Sequence, residues 1–117
     1  MHEIAITKEI IRILEEECLK NKIIPKKIKL ELGSITNFKE DPIRHYFEIL
    51  TKGHSHLSNS QLDIVNVQGK VRCKDCKKET LIEDPYIVLC QECESFNVDI
   101  IEGRDLKVLE LVSDNNV

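Results

Sequence analysis

The chain has 117 residues, 41% of them apolar and 32% charged, with a net charge of −4 and a pI of about 5.6. That length suits one domain, or one domain with a small appended module. The acidic balance argues against a general nucleic-acid binder, which needs a basic face, and no apolar stretch approaches the roughly 18 residues that span a membrane.

The N-terminus lacks the basic start and apolar run of a signal peptide, so a reducing cytoplasm is the expected setting. Met1-His2-Glu3 opens directly onto a helix. Ile6, Ile10, Ile13, Leu14 and Cys18 recur at helical spacing, with Lys8, Glu9, Arg12, Glu15, Glu16 and Lys20 mostly on the other side. Cys18 therefore reads as a buried, inert thiol. Asn21 and Pro25 end the helix.

Lys27 to Leu32 alternates. Ile28, Leu30 and Leu32 face one way, and Lys27, Lys29 and Glu31 the other, as in a half-buried strand. Asp41-Pro42 predicts a second helix, with Asp41 as cap and Pro42 at the first helical position. Its apolar face is Ile43, Phe47 and Leu50, with Tyr46 alongside, and Gly53 closes it. His45 reads as a surface residue. His54 to Ser60 is a polar loop, in which His54 and His56 are too weak a pair to assign to metal. Gln61 to Val67 is a second strand. Asn97 to Ile101 is extended, Gly103 permits a turn or bulge, and Arg104 to Val112 is a third long strand.

Between the second and third strands lie Cys73-Lys-Asp-Cys76 and Cys90-Gln-Glu-Cys93, separated by thirteen residues. Two residues between thiolates let both sulfurs face one ion. The spacer is long enough for a hairpin that returns the second pair over the first. Four thiolates then close a tetrahedron with Zn–S of about 2.3 Å. A pair of disulfides or a redox dithiol is the competing reading, and the expected compartment disfavours it. Catalytic zinc would need an open ligand position that four sulfurs do not leave. From Val71 to Ile101 seven acids face four bases, so the cysteine region is itself acidic.

These elements predict an α+β fold: two helices on a three-stranded sheet, with a zinc-ribbon-like module inserted between two strands that pair as antiparallel neighbours.

The first residues suggest a second metal site. A free α-amine, the His2 imidazole and intervening deprotonated amides can surround one ion in a square-planar nitrogen field, which favours Ni(II) or Cu(II) over zinc or magnesium. A frayed terminus without metal stays open as the plain alternative.

Several of these pieces occur together and in order. They are Met1-His2-Glu3 opening a helix, Leu30-Glu31-Leu32-Gly33, Phe47-Glu48, the two cysteine pairs, and Gly103-Arg104-Asp105-Leu106. In this combination the chain resembles the HypA/HybF family of hydrogenase nickel-insertion proteins over essentially its full length.

The resemblance implies a nickel metallochaperone, not an enzyme. It implies Ni(II) held at the Met1 amine, the His2 imidazole and amide, and the Glu3 amide. It also implies structural zinc at Cys73, Cys76, Cys90 and Cys93. Nickel would pass to the large subunit of [NiFe]-hydrogenase with the help of a HypB-type GTPase. The carrier is expected to be a monomer or weak homodimer that uses neither nucleic acid nor membrane. Residues 1–70 plus 102–117 would form the nickel-binding domain, and 71–101 the zinc module. Proteins of this kind usually carry Gly after the second and fourth cysteines and Pro after the third. Here Lys77, Glu94 and Gln91 stand there, which predicts altered turns around unchanged ligands. A zinc-stabilised adaptor without nickel, or a nucleic-acid-binding zinc ribbon, is the alternative function.

Overall fold

A computed structural model describes residues 3–53 and 56–113. Their elements are α1 (Glu3–Asn21), β1 (Pro25–Gly33), a 3-10 turn (Ser34–Thr36), α2 (Glu40–Thr51), β2 (Gln61–Val67), β3 (Lys70–Cys73), β4 (Glu79–Leu81), β5 (Val98–Glu102) and β6 (Leu106–Ser113). Among the described residues no helix is long and apolar enough to cross a membrane.

In α1 the buried stripe is Thr7, Ile10, Ile11, Leu14 and Cys18. It lies one residue round from the stripe expected, for Ile13 is exposed and Ile6 only half-buried. Thr7 can be buried because its hydroxyl donates to the Glu3 carbonyl at 2.7 Å. Cys18 is fully buried. That burial, and then the Glu15 and Glu17 carboxylates, push its thiol above the ordinary value. The helix stops as Lys22 turns left-handed (φ 55°) and the Ile23 amide returns to the Cys18 carbonyl at 3.0 Å.

α2 begins two residues earlier than Asp41-Pro42 suggested, with Lys39 in the capping position. Pro42 therefore lies within the first turn. An N–H there has no partner inside the helix, so proline loses nothing. Ile43, Phe47 and Thr51 form the buried face, and Leu50 is only half-buried. Thr51 fits because its hydroxyl donates to the Phe47 carbonyl at 2.7 Å. His45 is exposed, its ring tilted against Tyr46 with centroids 5.8 Å apart.

β1, β2 and β6 form the expected three-stranded sheet, in the order β2-β1-β6. β2 and β6, expected to pair as neighbours on either side of the cysteine module, are thus not neighbours, because β1 lies between them. Ile28, Leu30 and Leu32 are all essentially buried, whereas no side chain of β6 is. The strand with the most apolar surface to cover takes the centre. The 54–60 stretch holds an unexpected core residue, the fully buried Leu57. Its neighbour Ser60 donates to the Pro25 carbonyl at 2.6 Å. His54 lies outside the described residues.

The described chain divides into two compact units. One gathers the chain up to Leu30, Phe38–Ile64 and the chain from Lys107 onward. Its α1 and α2 pack on each other. The other gathers Glu31–Asn37 and Val65–Leu106. It holds a second three-stranded sheet, in the order β4-β3-β5, both pairings antiparallel. A bulge falls at Lys70/Val71, where the partners step from Glu102 to Ile100.

In this second unit three glycines meet backbone to backbone. A Cβ on Gly33 would sit 2.2 Å from the Gly103 oxygen, and one on Gly103 would sit 2.6 Å from the Gly69 Cα. Gly69 donates to Ser34 Oγ at 2.7 Å, and Ile35 to the Gly103 carbonyl at 3.1 Å.

Candidate metal centre

β3 delivers Cys73 at its last residue, and the chain turns at once to present Cys76. In that turn the Cys73 amide donates to the Lys78 carbonyl (2.9 Å), and the Lys77 amide returns to the Cys73 carbonyl (3.0 Å). The second pair repeats the pattern. The Cys90 amide donates to the Ser95 carbonyl (2.9 Å), and the Glu94 amide to the Cys90 carbonyl (2.9 Å). Both turns need a left-handed residue after the second cysteine of the pair, and Lys77 (φ 68°) and Glu94 (φ 62°) supply it. Lys77 and Glu94 thus adopt the left-handed backbone that glycine takes without strain. The side chains accept a backbone region that costs roughly 1–2 kcal/mol per residue. Gln91, where Pro is usual, has an N–H to give, and it donates to Thr80 Oγ1 at 3.1 Å.

The four sulfurs all lie within 4.8 Å of one another. Cys73 and Cys93 are 3.6 Å apart, as are Cys76 and Cys90. A tetrahedron with Zn–S of about 2.3 Å has edges of about 3.8 Å. A disulfide needs about 2.05 Å, and all five cysteines are free thiols. The donor set fits structural zinc: four soft ligands, no carboxylate or imidazole among them, and no position left for water.

Electrostatics fit the same reading. The Cys76 amide, helped by that of Asp75, holds the Cys73 thiol below its ordinary pKa. The Cys93 amide, with that of Glu92, draws Cys90 down to about 6. The other two oppose ionisation. The Lys78 amide favours the Cys76 thiolate, but burial and the Cys90 and Cys73 sulfurs raise its pKa. The Ser95 amide favours the Cys93 thiolate, yet the Cys73 sulfur and burial push it up to about 12. Cys73 and Cys90 are thus the easier thiols to ionise, and a bound cation would favour the thiolate at all four.

The sequence reading missed the fastening between the two turns. Asp75, in the first, accepts from the Ser95 hydroxyl at 2.5 Å and the Asn97 side-chain amide at 3.3 Å. Those bonds hold its carboxyl below the usual range, Ser95 contributing most. The Lys74 amide donates to the Asn97 carbonyl at 2.9 Å. Asp75 inside the first cysteine pair, and Ser95 and Asn97 just after the second, were the available signal.

Of the residues expected to hold nickel, Met1 and His2 lie outside the described residues. Glu3 opens α1, and its Oε2 accepts the Lys39 amide at 3.1 Å. Among the described residues, the four cysteines are the cluster able to hold a metal ion.

An α+β protein with a thiolate-closed ribbon and no open ligand position defines a metal-stapled protein of small size. The comparisons narrow this class. The family model for HypA, described as hydrogenase/urease nickel incorporation and metallochaperone, matches residues 1–113. The hydrogenase maturation factor HypA of Rippkaea orientalis is 36% identical over 112 residues, covering 95% of this chain and 94% of that protein. That of Moorella thermoacetica is 31% identical over 109 residues, covering 92% and 95%. The solution structure of the Ni metallochaperone HypA from Helicobacter pylori superposes with a TM-score of 0.72 at 24% identity, covering 97% of each chain, a likeness of fold. The chain belongs to the HypA family of nickel metallochaperones.

Proposed function

We propose that this protein carries Ni(II) at its first three residues and gives it up during hydrogenase maturation, while Cys73, Cys76, Cys90 and Cys93 hold zinc as a permanent staple. The carrying observation is the closed sulfur cluster. Four thiolates saturate one tetrahedral ion, so the cysteines offer no place for an exchangeable second metal. Family membership supplies the cargo, and the curated relatives, named for hydrogenase maturation, support the recipient.

In this reading the nickel ligands are the Met1 amine, the His2 imidazole and amide, and the Glu3 amide. The recipient is the large subunit of [NiFe]-hydrogenase, and a HypB-type GTPase assists the transfer. Residues 1–70 plus 102–117 carry nickel, and 71–101 form the zinc module. The protein works in the cytoplasm, as a monomer or weak homodimer, and catalyses no reaction itself. Handing over an ion needs moderate affinity. Imidazole must be neutral to bind, so nickel affinity falls in acid as protons compete for the ring.

His2→Ala tests the site. Equilibrium dialysis should show nickel lost with zinc content and helicity unchanged. Unchanged nickel affinity in that variant would refute the terminal site.

A further inference from the structure

Phe96 follows the second cysteine turn and is 74% exposed, although the chain has only three phenylalanines and no tryptophan. Its backbone is not loose. Ser95 on one side and Asn97 on the other both donate to Asp75, the Ser95 carbonyl accepts from Cys90, and the Asn97 carbonyl accepts from Lys74. A ring left in water between two fastened neighbours forgoes about 1.5–3 kcal/mol of burial. It also loses little freedom when something covers it. That is how the aromatic anchors of protein interfaces are presented.

The charge around it indicates what covers it. From Glu79 to Gly103 the sequence has seven acids and no Lys or Arg. Lysines and Arg72 from the preceding stretch neutralise some: Arg72 and Lys70 pair with Glu79, Lys74 with Asp99, and Lys78 with Glu92. Glu94, two residues before Phe96, is exposed and has no such partner among the described residues. Phe96 also differs from the exposed Tyr86, whose hydroxyl accepts from the Asn37 side chain at 2.5 Å.

We propose that Phe96, with Glu94 beside it, is the anchor of a protein-docking surface on the zinc module, and that its occupant is a basic protein surface with an apolar pocket for the ring. This rests on the reading that the protein hands nickel to other proteins. The ring sets the lifetime of the complex, and the acidic rim sets the rate of encounter.

The test uses the full-length, zinc-loaded chain against two probes, the hydrogenase large-subunit precursor and the HypB-type GTPase of the same organism. Association and dissociation rates are measured at two salt concentrations for wild type, Phe96→Ala and Glu94→Lys. The expected result, with at least one probe, is dissociation about tenfold faster in Phe96→Ala. Glu94→Lys should associate severalfold more slowly and with less salt dependence. Zinc content and Ni(II) binding stay as in wild type. Equal rates for wild type and Phe96→Ala with both probes overturn the proposal. So does sedimentation showing that Phe96→Ala only weakens self-association, which assigns the surface to a second copy. If wild type binds nickel but neither probe, the docking surface falls and the carrier stands. If wild type binds no nickel, the carrier reading falls instead.

Discussion

Glu3 Oε2 accepts the backbone amide of Lys39 at 3.1 Å, so the first residue of α1 caps the start of α2. α2 has no cap from its own Lys39 side chain, and a carboxylate at a helix N-terminus also meets the positive end of the helix dipole. Glu3→Ala should cost about 1 kcal/mol, seen as a Tm lower by about 4 °C. Glu3→Gln should cost less, because an acceptor oxygen remains. Nickel binding should survive in both, since the proposed site takes only the Glu3 amide. A Glu3→Ala protein of unchanged Tm would show that the contact contributes nothing.

Lys77 and Glu94 hold left-handed backbone where Gly would sit without strain. Lys77→Gly and Glu94→Gly should each stabilise the protein by about 0.5–1 kcal/mol, after allowing for the extra freedom of Gly in the unfolded chain. Chemical denaturation with zinc held in excess measures this. A loss of stability in both variants would mean that the side chains contribute more than the backbone strain costs.

The glycine contacts predict a graded response. Gly103→Ala places a Cβ against the Gly69 backbone at φ +74°, and should cost more than about 2 kcal/mol. Gly53→Ala has a similar φ of +86° but open space around it, and should cost only about 1 kcal/mol. Equal losses would place the effect in the backbone angle alone. Denaturant midpoints of the two variants decide it.

Zinc removal should unfold the sheet β4-β3-β5 and spare the helices. Cys73→Ser or Cys90→Ser removes one thiolate from a closed shell, and structural zinc contributes on the order of 10 kcal/mol to folding. The expected outcome is lost zinc and lost amide dispersion for residues 70–102, with the helical circular dichroism of α1 and α2 largely kept. A metal-free variant with native dispersion would contradict the structural role.

The metal centre was the most legible part of the sequence, because ligand spacing constrains geometry whatever packs around it. Helix and strand identities were legible where the period was unbroken, as in Ile28, Leu30 and Leu32. Phase was less so. Ile10, Ile11, Ile13 and Leu14 crowd one turn of α1, and the buried Thr7 satisfies its hydroxyl on its own helix. β4 has three residues, too few to show a period. Leu57 hides among polar neighbours, and the position of β1 between β2 and β6 depends on comparative burial, which no local pattern displays.

The most direct test of the carrier is calorimetric titration of the zinc-loaded protein with Ni(II), comparing the chain starting at Met1 with one bearing a single extra residue before it. Blocking the α-amine in this way leaves every cysteine and the described fold untouched. The account predicts one nickel bound by the first protein and a loss of affinity of at least about tenfold in the second. Equal, unimpaired binding by both would place nickel elsewhere and contradict it.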